Sequence, residues 1–225
     1  MKEVLIGQIA FNDISLSQSD VHKLRGYIGS EFAEFDLIHN HDGERDAYFY
    51  RYPLVQFKVI RQTPILVAVT EPAINIFKEI LFKTDKIIIG ETVIPVYEKS
   101  FSIKTKKFGI ANKPLKYRFI TPWIGLNQQN YRKYENAAGE ERSTILTRSL
   151  IGNLLSMSKT LDYTVPEQIT VTHDLRPVNV NLKGKTMLGF TGSFTINFYI
   201  PSLLGIGKSP SRGNGALERV KEMVK

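Results

Sequence analysis

The sequence predicts an α+β protein built from two units. The first half alternates strand-like and helix-like segments in the order β-α-β-β-α-β, and a second set of strands and helices follows it. The chain of 225 residues is also longer than a usual single domain of roughly 100–150 residues. We therefore expect two modest domains, at residues 1–110 and 111–225.

The first half has the spacing of a split βαβ, or ferredoxin-like, arrangement. Residues 3–11 alternate as a strand does, and a helix follows because four apolar residues recur at helical spacing: Val21, Leu24, Ile28 and Phe32. Two strands come after a polar loop and turn at Gln62–Pro64. Pro72 stands where the first turn of an amphipathic helix tolerates proline, and further strands turn near Gly90.

The second half also predicts strands and helices. Residues 115–126 are strand-like, and residues 127–161 form one or two helices whose buried face is marked by Ile145, Leu146, Leu150, Leu154 and Met157. From Ile169 onward the segments ITVTHDL, VNVNLKGKTMLGF and GSFTINFYIP are strand-like again. The join between the units is expected at residues 109–114, and Trp123 is expected in the core.

Charge and composition limit the classes of function. Residues 1–100 hold 11 basic and 14 acidic groups, whereas residues 101–225 hold 19 basic and 8 acidic groups. The whole positive excess lies in the second half, which is typical of a surface that binds a polyanion; a basic surface kept for solubility gives the same pattern. The absence of cysteine excludes disulfides, and no apolar run reaches the ~18 residues of a membrane span. The N-terminus reads as a strand and not as a signal peptide, so we expect a cytoplasmic protein.

A glycine-rich segment, GIGKSPSRGNG, occupies residues 205–215. It is not a P-loop, because Ser202 stands where that motif needs its first glycine, and a dinucleotide fingerprint fails at Pro210. Lys208 and Arg212 can add charge-assisted bonds to phosphate. Four glycines allow positive φ and expose N–H groups to an anion: Gly205, Gly207, Gly213 and Gly215. A sugar–phosphate backbone fits such a loop better than one phosphate, and a mobile turn is the alternative.

This loop resembles the C-terminal glycine-rich loop of RAMP-superfamily proteins, and among them the CRISPR-associated endoribonucleases that cut precursor CRISPR RNA within its repeats. Three stretches carry the narrower resemblance, in the family's order: residues 38–60, 121–134 and 187–215. The resemblance implies two tandem ferredoxin-like (RRM-like, RAMP) domains, in agreement with the order of elements in the first half. It also implies metal-independent attack by the RNA 2′-hydroxyl, which leaves a 2′,3′-cyclic phosphate and a 5′-hydroxyl.

Two histidines, His39 and His41, lie together in the stretch HNHDG. A metal site needs three or four ligands and only Asp42 is adjacent, so no metal or cofactor is expected; two polar loop residues are the plain alternative. Histidine, with an unperturbed pKa of about 6.5, can act as acid or base near neutral pH. The resemblance places catalytic histidine in the segment after the first helix. We expect His41 as the main general base or acid and His39 as a second participant, while His22 and His173 are structural or exposed.

Tyr48 and Tyr50 open the next strand, and their spacing places both on one face, where one can orient phosphate. Tyr48 is the expected catalytic helper, with a buried aromatic as the alternative. Many relatives use a Tyr–His–Lys trio. Here no lysine follows the histidines until Lys58, and Arg45 occupies the loop, so the lysine of the trio is missing.

Further basic residues extend the expected RNA surface: Lys104, Lys106, Lys107 and Arg142. Cationic protection of an exposed strand edge gives the same pattern for the three lysines. The leading hypothesis is an endoribonuclease that matures CRISPR transcripts, with repeat RNA and other CRISPR-associated proteins as partners and a monomer or homodimer as the assembly. The alternatives are a non-catalytic RAMP subunit that binds RNA in a CRISPR effector complex, and a scaffold whose basic half meets acidic proteins.

Overall fold

The computed structural model describes residues 1–39, 41–42, 45–48, 52–182 and 184–221, with the backbone alone at residues 39, 41–42 and 45–48. The chain divides into two compact units. The first unit contains Glu3–Lys106 together with Ser211–Gly213, and the second contains Met1–Lys2, Lys107–Pro210 and the residues from Asn214 onward.

The first unit has the predicted β-α-β-β-α-β order with two small hairpins inserted. Its elements are β1 (Lys2–Phe11), a 3-10 turn (Gln18–Asp20), α1 (Val21–Glu31), α2 (Asp36–His39), β2 (His41–Asp42), β3 (Arg45–Tyr48), β4 (Val55–Ile60), β5 (Thr63–Val69), α3 (Glu71–Lys83), β6 (Lys86–Ile89), β7 (Thr92–Pro95) and the first part of β8 (Lys99–Trp123). The sheet order is β4-β5-β1-β8, and β2-β3 and β6-β7 form the separate hairpins. This is the strand order of a ferredoxin-like motif, so the predicted arrangement is confirmed.

The β4-β5 turn begins one residue earlier than predicted. Arg61 and Gln62 both have positive φ, at 51° and 69°, which is the geometry of a two-residue type I′ hairpin. Pro64 lies inside β5, opposite Val59, and not in the turn. The N–H of Leu16 donates to the carbonyl oxygen of Gln62 at 2.8 Å, which holds this turn against the segment after β1.

One hydrophobic core lies between the sheet of the first unit and its helices. Leu24 and Ile28 of α1 pack in it with Phe77 of α3 and Phe57 of β4. Helix α3 begins at Glu71 with Pro72 in its first turn, as predicted. Burial of these apolar faces is the main source of stability for short helices of this kind.

The second unit is a ferredoxin-like motif in which a loop takes the place of the second helix. Its elements are the rest of β8, α4 (Gln128–Asn136), α5 (Gly139–Thr160), β9 (Val171–Leu182), β10 (Lys185–Tyr199) and β11 (Leu217–Arg219). The antiparallel order β11-β8-β10-β9 repeats the order of the first unit. A helix would normally join β10 to β11, but here the connection is the loop that carries the glycine-rich segment.

The stretch expected as the join, residues 109–114, is part of β8 and forms no linker. Gly109 has a φ of +114°, and the partners of β8 on β10 shift register between Ile110 and Leu115. Pro114 therefore lies in a bulge, where a strand does not need its N–H. In the sequence, Gly109 and Pro114 indicate the end of a strand. In the structure, they lie where one continuous strand bends.

The core of the second unit is built on α5 and a group of aromatic rings. Leu146, Leu150, Leu154 and Met157 are buried as predicted, and Ile145 is half-buried. Trp123 is fully buried and stacks on Phe119, and its indole Nε1 donates to Asn153 Oδ1 at 2.9 Å. The predicted core role of Trp123 is confirmed.

Candidate functional site

The predicted catalytic residues lie on α2 and the β2-β3 hairpin. His39 is the last residue of α2, and His41 is the first residue of β2. The backbone of His41 pairs with that of Tyr48 across the antiparallel hairpin. The fold therefore brings the positions of two predicted site residues together, while Tyr50 lies outside the described residues.

Buried residues lie on both sides of this hairpin in the sequence. Ile38, one residue before His39, is 1% exposed and belongs to the core of the first unit. On the other side, Tyr52 and Val55 are buried where the chain enters β4. Buried residues therefore flank the histidine segment at Ile38 and at Tyr52.

A buried polar group on β4 was not predicted. Lys58 and Gln56 are both 0% exposed, and Lys58 Nζ donates to Gln56 Oε1 at 3.0 Å. Gln56 Nε2 donates to the carbonyl oxygen of Pro53 at 3.1 Å, and the Tyr52 hydroxyl also bonds to the Gln56 side chain. Burial lowers the pKa of Lys58 from its ordinary value of 10.5 to about 7. In sequence, Lys58 and Gln56 alternate with apolar residues and look like the solvent face of a strand.

Replacing Lys58 by methionine is expected to stabilise the protein. Between about pH 7 and 10.5 the unfolded chain binds a proton that the folded chain has released, so stability rises with pH across this range. Methionine removes the cost of burying the amine, and we expect a gain of ~1–4 kcal/mol in the free energy of unfolding near neutral pH. Urea denaturation of the wild type and K58M at about pH 6 and about pH 9 measures both effects. Lys23→Met, an exposed lysine paired with Asp20, is the matched control; the same pH slope in K58M and wild type would refute the account.

The glycines of the C-terminal loop are needed for close packing. Gly207 and Gly215 have φ of +90° and +65°. A Cβ on Gly207 would lie 2.6 Å from the carbonyl oxygen of Ile124, and one on Gly215 would lie 2.0 Å from that of Ile206. Glycine is therefore required at both positions for conformation and for space.

Three N–H groups of this loop bond within the second unit. Those of Ile206, Lys208 and Gly215 donate to the carbonyl oxygens of Gly215, Ile124 and Pro122 at 3.0, 2.8 and 2.8 Å. Gly205, Gly213 and Gly215 are buried and Gly207 is half-buried. Contact of these glycines with RNA stays a prediction. Lys208, which is exposed, and Arg212, which is half-buried, are the cationic groups that the loop presents.

The tip of the loop, Ser211–Gly213, belongs to the first unit. Arg212 forms a parallel β-bridge with Phe57 of β4. Gly213, the next residue, approaches Val21 of α1, and Arg25 lies one helical turn after Val21. Burial and, after it, the positive charge of Arg212 lower the pKa of Arg25. Sequence reasoning singled out Arg212 and missed Arg25, which resembles an ordinary surface residue of a helix.

The remaining predicted cations are spread over β8 and α5. Lys104, Lys106 and Lys107 are exposed on β8, and Lys107 Nζ lies 5.7 Å from the centre of the Tyr199 ring. Arg142 is exposed at the start of α5, where its Nε donates to the carbonyl oxygen of Tyr134 at 3.1 Å. Their contact with RNA stays a prediction.

The other two histidines lie outside this region. His22 is exposed on α1. His173 Nε2 lies 3.1 Å from the carbonyl oxygen of Ser143, which links β9 to α5. Both placements agree with the expectation of structural or exposed histidines.

Two family models match consecutive parts of the chain. The Cas6b N-terminal domain matches residues 2–107, and the Cas6b C-terminal domain matches residues 109–220. Among the helices that the structure describes, none combines the length and apolar character of a membrane span.

Individual proteins agree with these models. A solved structure described as Cas6b is 37% identical with a TM-score of 0.93, and the match covers 97% of this chain and 100% of that chain. A second, described as the CRISPR RNA processing endoribonuclease Cas6b, is 35% identical with a TM-score of 0.79 and the same coverage. An uncharacterized protein of Methanocaldococcus jannaschii is 39% identical over 145 residues, which are 64% of this chain and 99% of that protein.

These matches confirm the predicted tandem ferredoxin-like fold of the RAMP type. The domain models together span nearly the whole chain, and the solved structures share its fold from end to end at more than a third identity. The chain belongs to the Cas6b family.

Proposed function

We propose that this chain is a metal-independent endoribonuclease that cleaves CRISPR repeat RNA. The observation that carries the proposal is the pairing of His41 with Tyr48 in a chain of the Cas6b family. A relative of 35% identity is described as a CRISPR RNA processing endoribonuclease. The positive excess of residues 101–225, with 19 basic and 8 acidic groups, supports a polyanionic substrate.

The proposed reaction is an internal transesterification of RNA. A general base removes the proton of a 2′-hydroxyl, and the 2′-oxygen attacks the adjacent phosphorus. The bond from phosphorus to the 5′-oxygen then breaks, and a general acid gives that oxygen a proton. The products are a 2′,3′-cyclic phosphate and a 5′-hydroxyl, and no water is consumed.

The histidine segment supplies the proton transfers in this proposal. His41 is the main base or acid, and His39 takes the complementary proton transfer, because imidazole exchanges protons near neutral pH. Tyr48, whose backbone pairs with that of His41, orients the phosphate. The burial of Ile38 and Tyr52 on either side of the segment supports this assignment, since proton transfer requires groups held within hydrogen-bond reach.

Cleavage of labelled repeat RNA in the presence of excess EDTA is the direct test. We expect full activity, with 2′,3′-cyclic phosphate ends on the 5′ fragment and 5′-hydroxyl ends on the 3′ fragment, because histidine chemistry needs no metal. The ends are identified by whether phosphatase and kinase can act on them. Products that carry 3′-hydroxyl ends, or loss of cleavage that added Mg²⁺ restores, would contradict the mechanism.

A second candidate function is RNA binding without cleavage. The observation that favours it is the state of Lys58, the first lysine after the histidines, which is buried and bonded to Gln56. If Lys58 does not join a Tyr–His–Lys trio, the chain would hold processed RNA within a larger complex without cleaving it. Tight binding of repeat RNA with no product after long incubation would support this function, as would a second repeat-cutting gene in the same locus.

A further inference from the structure

We propose that Arg25 and Arg212 form one site, a pair of guanidinium groups that grips a single phosphodiester of the bound RNA. The inference rests on the proposed RNA-binding function and gives it a location in the first unit. It assigns a role to Arg25, and it joins Arg212 to a partner on α1.

The tip of the glycine-rich loop is held against the edge strand of the sheet. Arg212 forms a parallel bridge with Phe57, and the N–H of Phe57 donates to the carbonyl oxygen of Ser211 at 3.4 Å. β4 is the last strand of the order β4-β5-β1-β8, so Ser211–Gly213 extends that sheet at its edge. The backbone of Arg212 is thus fixed by strand pairing.

Gly213 brings the same tip against α1. A Cβ at this position would lie 3.3 Å from Val21 Cγ1 and 3.4 Å from the carbonyl oxygen of Phe57. Gly213 also has a φ of +85°, which favours glycine. The tip therefore approaches the first turn of α1 at Val21, and Arg212 is the residue next to Gly213.

Arg25 lies one helical turn beyond Val21, on the same face of α1. Its side chain is half-buried. Burial and, after it, the positive charge of Arg212 lower the pKa of Arg25, which agrees with the approach of the tip to α1 at Val21. Two positive charges at short range repel each other, and an anion bound between them attracts both.

Phosphodiester chemistry fits this pair. Each guanidinium presents a planar fork of N–H donors, and a phosphodiester has two non-bridging oxygens that share one negative charge. Two forks from different elements can each take one oxygen and fix the orientation of the phosphate. Since Arg212 is placed by β4 and Arg25 by α1, the site is built from rigid elements before RNA arrives.

Binding of repeat RNA in which every 2′-hydroxyl is methylated tests the site without turnover. We expect R25Q and R212Q each to weaken binding about tenfold, because each loses charge-assisted bonds to phosphate. If both arginines hold one phosphate, the double variant loses less than the product of the single effects. Lys23→Gln removes the same charge from another face of α1 and should stay within about twofold.

Single variants that bind like the wild type would overturn the proposal. Losses that multiply fully in the double variant would also overturn it, since separate phosphates would then be involved. If R25Q and R212Q bind RNA weakly and the wild type does not cleave it, the proposed nuclease function is wrong and the proposed phosphate site is supported. If the wild type cleaves RNA and both variants bind it as tightly as the wild type, the nuclease function is supported and the phosphate site is wrong.

Thermal unfolding of the free protein separates a binding role from a structural one. R212Q should melt at the wild-type temperature or above it, because the variant relieves repulsion with Arg25. Weak RNA binding by this stable variant supports the site, whereas a lowered melting temperature assigns Arg212 to structure and counts against it. Inorganic phosphate is the second probe: if it stabilises the wild type but the variants bind RNA normally, the site takes free phosphate and the RNA assignment is wrong.

Discussion

His41→Ala is expected to slow cleavage of repeat RNA by about 10²–10⁴-fold, the usual contribution of a general acid or base. RNA affinity should change little, because the basic residues of the second half and the loop are untouched. Single-turnover rates with labelled repeat RNA measure the first effect, and filter binding measures the second. Since alanine removes an imidazole and nothing else, the loss reports proton transfer and not substrate capture.

His22→Ala is the matched control for this variant. His22 is exposed on α1, so its removal should leave the rate and affinity unchanged. His39→Ala should give a smaller loss than His41→Ala if His39 is the second participant. An unchanged rate in His41→Ala would move the role to His39 or to another residue.

Gly215→Ala is expected to destabilise the protein by ~3 kcal/mol or more. Part of the cost is the left-handed backbone at φ +65°, which costs a residue with a Cβ about 1–2 kcal/mol. The larger part is steric, because the new Cβ would lie 2.0 Å from the carbonyl oxygen of Ile206. The backbone at Gly215 or at Ile206 must move to relieve this overlap. Urea denaturation followed by circular dichroism measures the loss.

Gly90→Ala isolates the first part of that cost. Gly90 has the same φ of +65° but nothing lies within 4 Å of its would-be Cβ. It should lose only about 1–2 kcal/mol, so the difference between the two variants measures the steric demand at Gly215. Equal losses in both would show that the loop relaxes around a side chain, and the packing account of its glycines would be wrong.

The order of elements was predictable because each strand and helix carries its own local pattern. Apolar spacing identified α1 and the buried face of α5, and the position of Pro72 identified the start of α3. The continuity of β8 was not predictable, because glycine and proline at 109–114 mark breaks unless a bulge accommodates them. The position of the hairpin turn at Arg61 and Gln62 was also not predictable, since neither residue is a usual choice for positive φ.

Candidate site residues could be proposed from sequence where the residue type itself suggests the chemistry. Histidine can exchange protons near neutral pH, and the family resemblance places catalytic histidine after the first helix, so His39 and His41 could be proposed from sequence; their catalytic role stays a prediction. Lys58 and Arg25 could not be proposed from sequence, because their environments arise from contacts with residues that are distant in sequence. Lys58 is buried by tertiary packing of β4, and Arg25 gains its charged neighbour only when Arg212 returns to the edge of that strand.

The loop that replaces the second helix of the second unit has a consequence for the proposed association with RNA. Its N–H groups at Ile206, Lys208 and Gly215 are bonded before any ligand is present, and Gly207 rests against Trp123. A segment that is already ordered gives up little conformational entropy on binding, so more of the interaction energy appears as affinity. Docking to such a surface also requires no slow rearrangement, and encounter is then limited by diffusion and charge steering.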